Sequence, residues 1–79
     1  MSETSHLISF GEIVRKRRNE RRWSQEELAS HCDLDRTYVS GVERGTRNIG
    51  LLNILRIADA LDVRASTLLE FHLPRGGKS

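Results

Sequence analysis

The chain has 79 residues and a formal net charge of +2, a length that supports one domain over residues 1–79, with a modest core that gains from a partner covering apolar surface. Its single cysteine excludes an intramolecular disulfide, and with no signal-peptide pattern and no apolar run of membrane-spanning length the expectation is a cytoplasmic, nucleoid-associated protein with no membrane partner. A charge of +2 does not by itself mark a nucleic-acid binder, but eleven of the thirteen basic residues are Arg, the side chain that grips guanine and phosphate bidentately.

Five helices and no strand are predicted. The first runs from about Leu7 to Arg22 with Phe10, Ile13 and Val14 inward. Its end crowds six basic residues into positions 15 to 22 (Arg15, Lys16, Arg17, Arg18, Arg21 and Arg22), of which Lys16 and Arg21 read as a solvated face. Ser24 and Glu27 then form an S-x-x-E capping box. Leu28, Ala29 and Cys32 recur on one face, so Cys32 reads as a buried thiol. Asp33 and Leu34 interrupt the run, and Asp35 restarts it as a second N-cap. The two short helices, about 25–32 and 36–44, make a helix-turn-helix. Val39 and Val42 face inward on the second, while Arg36, Thr37, Ser40 and Arg44 share the opposite face. Gly45 reads as a left-handed stop.

A loop from Thr46 to Gly50 leads to a fourth helix at about 51–61, followed by a short one near 65–72 and a disordered tail from Pro74 to Ser79. Leu51, Ile54, Ile57, Ala58 and Leu61 form the fourth helix's inward stripe. Leu52 and Leu55 lie on a neighbouring face, extended by Ile49, with Phe71 and Leu73 adding apolar area near the C-terminus. One apolar stripe suffices for a monomeric helix. The surplus at Ile49, Leu52, Leu55, Phe71 and Leu73 therefore reads as a homodimer interface, unless the last helix folds back over it. Dimers suit helix-turn-helix proteins, whose two recognition helices enter successive major grooves roughly 34 Å apart.

A short helix whose outer face carries Arg, two hydroxyls and a second Arg is equipped to read base edges of double-stranded DNA. Arg36 suits a bidentate contact to guanine, and Thr37 a base edge, phosphate or thymine methyl, with Ser40 one turn on. Tyr38 stands at the edge of that face, open to a phosphate contact or an intramolecular one. Arg44 has the right face, with plain solvation as the alternative. Gly41 either lets DNA backbone approach or serves packing. Asn48 suits a phosphate or a turn, and Gln25, in the first turn of its helix, suits a phosphate.

The string Gln25-x-x-Leu28-Ala29, then Leu34, then Val39-Ser40-x-x-Glu43-x-Gly45 resembles the lambda-repressor-like (Xre-type) helix-turn-helix family. Asp35-Arg36-Thr37-Tyr38-Val39-Ser40-Gly41-Val42-Glu43-Arg44, followed by Arg47-Asn48, is similar to a narrower group, the controller proteins of restriction–modification systems. The resemblance covers residues 8 to 70 and implies a compact five-helix all-α fold. It departs at Asp33 and Arg22, where the family commonly has Gly; Asp tolerates a left-handed turn, while Arg22 leaves the end of the first helix open. The resemblance further implies an Arg18–Glu43 pair tying the first helix to the recognition helix, a base contact from Arg47, and, at Glu26, the position used to touch RNA polymerase, with Glu27 or Asp33 as weaker choices.

No cofactor, metal or enzymatic chemistry is indicated. His6, His31 and His72 lack ligand spacing, Ser24 and Ser40 sit in no nucleophile motif, and no Gly-rich phosphate loop exists. The expectation is a homodimeric regulator on a pseudo-palindromic operator, governing its own promoter and an endonuclease gene. The alternatives are a phage, plasmid or antitoxin-type repressor, or, in another class, a helical adaptor that binds protein instead of DNA.

Overall fold

A computed structural model describes residues 3–71. They form α1 (Glu3–Glu20), α2 (Gln25–Cys32), α3 (Arg36–Arg44), α4 (Leu51–Leu61) and α5 (Ala65–Leu68), and no strand occurs among the described residues. Leu73 and the tail from Pro74 lie outside them. The first helix ends at Glu20, two residues short of Arg22, and two other boundaries differ from expectation. The first helix begins at Glu3, a turn before Leu7; the intervening residues include neither Gly nor Pro, so nothing stops the helix there. The last is a single turn ending at Leu68, short of 72. Beyond it Leu69 N–H bonds back to Ser66 O and Glu70 N–H to Thr67 O, the tight i→i−3 pattern that winds a helix down.

Four of the helices end in one backbone motif. After α1, Trp23 N–H reaches Arg18 O and Arg22 N–H reaches Asn19 O; the same pair of bonds recurs at Leu34/Asp33, Thr46/Gly45 and Val63/Asp62. This is the Schellman arrangement, which requires one left-handed residue. Gly45 supplies it freely at φ 76°, but Arg22, Asp33 and Asp62 adopt φ 60°, 58° and 57° without being glycine. The next residue compensates at three of the ends: Trp23, Leu34 and Val63 pack against the core.

The helix starts follow their local sequence. Glu27 N–H donates to Ser24 Oγ at 3.0 Å and Ser24 N–H to Glu27 Oε1 at 2.7 Å, completing the capping box. Asp35 accepts from Thr37 N–H at 2.9 Å. Between these caps the inward residues converge: Phe10 and Val14 from α1, Leu28, Ala29 and Cys32 from α2, Val39 and Val42 from α3, Ile57, Ala58 and Leu61 from α4, and Leu68 from α5. Burial pushes the Cys32 thiol up to about 11, so near neutrality it is a protonated packing group. Leu51 does not belong to the inward stripe assigned to it. It is 68% exposed because it opens α4, one turn beyond the point where Ile54 first meets the core.

Gly11 fixes the distance between α1 and the recognition helix. A Cβ there would lie 2.4 Å from Val42 O and 2.5 Å from Glu43 O, and backbone atoms do not yield as a flexible side chain does. Gly11→Ala gains about 1 kcal/mol of helix propensity. The overpacking falls at the upper end of the ~1–3 kcal/mol range and outweighs it. A circular-dichroism melt should therefore show a lower Tm; an unchanged Tm would mean that α1 and α3 separate at no cost.

Candidate nucleic-acid interface

The recognition helix is held from behind by one carboxylate. Glu43 has a fully buried side chain. Arg18 Nε donates to its Oε2 at 2.6 Å and Arg18 Nη2 to its Oε1 at 2.9 Å. Gln25 Nε2 donates to Oε1 at 3.1 Å, and Arg15 Nε stands 3.7 Å from the same oxygen. Arg18 spends its other nitrogen on Trp23 O at 2.7 Å and Asn19 Oδ1 at 3.2 Å. The hydrogen bonds to Glu43 raise the Arg18 guanidinium above its usual range against the opposing effect of burial. Three elements (α1, α2 and α3) thus meet at one charge.

This cluster redistributes the basic run of α1. Arg15 and Arg18 are directed at Glu43, and Arg17 pairs with Glu20 at 3.4 Å. Arg21, expected as a solvated residue, is exposed but also donates from Nε to Leu61 O at 3.2 Å and lies over the Trp23 ring at 4.8 Å. The reason is the end of α4, whose last carbonyls carry partial negative charge. Trp23 in turn stacks on His31 at 4.1 Å, with the rings 11° apart. Arg36, Arg44 and Arg47, on α3 and in the loop that follows it, are all exposed.

On α3, Arg36, Thr37 and Arg44 are exposed and Ser40 is half-buried. Positions 36, 40 and 44 are one turn apart each and 37 lies three before 40, so the helix period sets them along one side. Val39, Val42 and Glu43 are buried on the other. Arg47 and Asn48 are exposed in the loop, while Gln25 is half-buried against Glu43. Tyr38 makes intramolecular contacts: its hydroxyl accepts from Asn53 Nδ2 at 3.2 Å, and the Arg47 guanidinium lies 5.7 Å from its ring centroid. Gly41 has a packing reason, since a Cβ there would sit 2.5 Å from Arg47 Cγ. Asn53 escaped the sequence reading. The available signal was its isolation as the one polar side chain in the run Leu51 to Leu55.

Apolar surface remains on α4. Leu52 is 73% exposed and Leu55 45%, beside the exposed Leu51. Ile49 and Phe71 are partly buried and pack against the chain's own core, so they offer a partner less area than expected. Glu26 stands exposed in the first turn of α2, whereas Glu27 is committed to the capping box. No cluster of metal-ligating side chains occurs among the described residues, and no described helix is long and apolar enough to cross a membrane.

The sequence profile of the helix-turn-helix family matches residues 14–68, from within α1 to the end of α5. The control protein C.BamHI of Bacillus amyloliquefaciens is 52% identical over 65 residues, covering 81% of this chain and 80% of its own. The chain belongs to the helix-turn-helix family, among the restriction–modification controller proteins. The fold of this group member matches the crystal structure of the restriction–modification controller protein C.AhdI from Aeromonas hydrophila with a TM-score of 0.80 and 48% identity, over 81% of this chain and 97% of that one. It also matches the controller C.Esp1396I, solved as a tetramer in complex with its natural 35 base-pair operator, with a TM-score of 0.74 and 36% identity, over 81% and 84% of the two chains.

Proposed function

We propose that this controller-family member is a sequence-specific DNA-binding transcription regulator that acts in the cytoplasm, as a single domain and not as an enzyme. It binds a pseudo-palindromic operator as a homodimer and governs its own promoter and the expression of a neighbouring endonuclease. The observation that carries this reading is the division of α3. Its inner side is locked to α1 and α2 through Glu43, while Arg36, Thr37, Ser40 and Arg44 remain on the outer side. Arg36 opens the helix, where it has reach for guanine O6 and N7. Thr37 and Ser40 extend the base-reading face, Arg47 adds a contact from the loop, and Gln25, Arg44 and Asn48 approach the phosphates, while Tyr38 is engaged within the chain. Two copies meet through Leu52 and Leu55, joined by Leu51, whose exposure supports a second chain lying there. Glu26 faces RNA polymerase when the protein activates.

Fluorescence anisotropy with DNA from upstream of the protein's own gene tests the reading. Arg36→Ala should cost roughly 1–3 kcal/mol per subunit and relax preference at one guanine in each half-site. Gln25→Ala should weaken all sequences more evenly, as a phosphate contact does. Wild-type affinity and base preference in Arg36→Ala would reject this orientation of the recognition helix. Failure of the unaltered protein to prefer any fragment would reject the function.

A further inference from the structure

We propose that Asn53 is a positioning residue for Arg47, acting through Tyr38 from a helix that itself carries no base-reading side chain. The inference rests on the reading of Arg47 as a DNA contact. Arg47 lies in an exposed loop, where a long side chain has many rotamers and gains little from a contact that must first freeze them. Three features restrict it. The backbone ahead of it is pinned, since Thr46 N–H and Thr46 Oγ1 both donate to Gly41 O, at 2.9 and 3.2 Å. The Arg47 stem then crosses α3 at Gly41, where a Cβ would lie 2.5 Å from Arg47 Cγ. Its guanidinium reaches the face of the Tyr38 ring, 5.7 Å from the centroid, within the range of a cation–π contact.

That platform is useful only if the ring is fixed, and Asn53 fixes it. Asn53 Nδ2 donates to Tyr38 Oη at 3.2 Å across the gap between α4 and α3. Asn53 is half-buried between Leu52 and Ile54, and an amide at an otherwise apolar run is retained at some cost unless its hydrogen bond serves a purpose. The chain of contacts Asn53–Tyr38–Arg47 therefore joins α4, the helix bearing the exposed leucines, to the loop arginine. A segment poised in this way binds with less ordering on contact, which is what preorganisation supplies.

The test is a mutant cycle read by operator affinity and by a base-preference profile over the operator. Asn53→Leu keeps the apolar surroundings and removes the donor; Tyr38→Phe keeps the ring and removes the acceptor. Asn53→Leu should weaken operator binding by roughly threefold to tenfold, the scale of one modest hydrogen bond or cation–π contact. It should also relax preference at the base whose recognition Arg47→Ala abolishes. Combined with Tyr38→Phe it should cost no more than Tyr38→Phe alone, and in an Arg47→Ala background it should cost nothing. Wild-type affinity and profile for Asn53→Leu, alongside a clear loss for Arg47→Ala, would overturn the positioning role and leave the Arg47 contact standing. An equal loss with and without Arg47 would assign Asn53 to folding or association and overturn it too. A harmless Arg47→Ala would remove the premise and the proposal together.

Discussion

Glu43→Ala should melt far below the parent protein. Removing one partner of a buried ion pair costs about 3–5 kcal/mol, because the other charge is left without its partner. Here that partner is Arg18, whose side chain is only 12% exposed and which loses both of its bonds to the carboxylate. Gln25 loses its acceptor as well. A domain of this size has on the order of 5–10 kcal/mol of total stability, and each kcal/mol is worth roughly 4–8 °C. The Tm should fall by well over about 10 °C on that scale, measured by circular dichroism. The double replacement Arg18→Met with Glu43→Met should restore most of the loss, since an apolar pair of similar volume often matches a buried ion pair. A Glu43→Ala protein melting near the parent temperature would show that Arg18 reaches water freely and that the cluster contributes little to holding α3.

Leu52→Glu with Leu55→Glu should separate assembly from folding. Both side chains are exposed in the isolated chain, so the helical signal should be kept. Two carboxylates placed between associating apolar faces have no partner and disfavour contact. The variant should sediment as a monomer, and operator affinity should fall on the order of 10²–10⁴-fold as two half-sites cease to be held by one particle. A dimer with normal affinity would move the interface off this face of α4, for which Ile8 and Leu69 are the other exposed large apolar side chains among the described residues. Loss of helical signal would show that α4 needs these leucines within its own chain.

Much of this was legible in the sequence because it is local. The α2 and α3 boundaries follow from Ser24, Asp35 and Gly45, each of which announces a cap by its own chemistry. The helix ends at Arg22 and Asp62 carry no such signal. They adopt the left-handed conformation because Trp23 and Val63 gain packing that outweighs its cost, and that gain depends on parts of the chain far away in sequence. Leu51 misled for a related reason. Helical period places it with Ile54 and Ile57, but period does not say where a core ends. For the interface, residue type pointed to Arg36, Thr37 and Ser40, and family resemblance to the Arg18–Glu43 pair. Neither source indicated that Arg21 closes the end of α4, or that Asn53 touches Tyr38, because both contacts join residues that only the tertiary fold brings together.

The two-sidedness of α3 has a consequence for divergence. Asp35 and Gly45 set the ends of the helix, and Val39, Val42 and Glu43 anchor it. None of these is among the outward residues Arg36, Thr37, Ser40 and Arg44. Substitutions at those four positions leave both caps and the anchor intact, so they lie where change is cheapest for a marginally stable chain. A lineage can therefore drift from one recognition sequence to another through intermediates that all fold. Two such regulators sharing a cell can become blind to each other's sites while their scaffolds stay interchangeable.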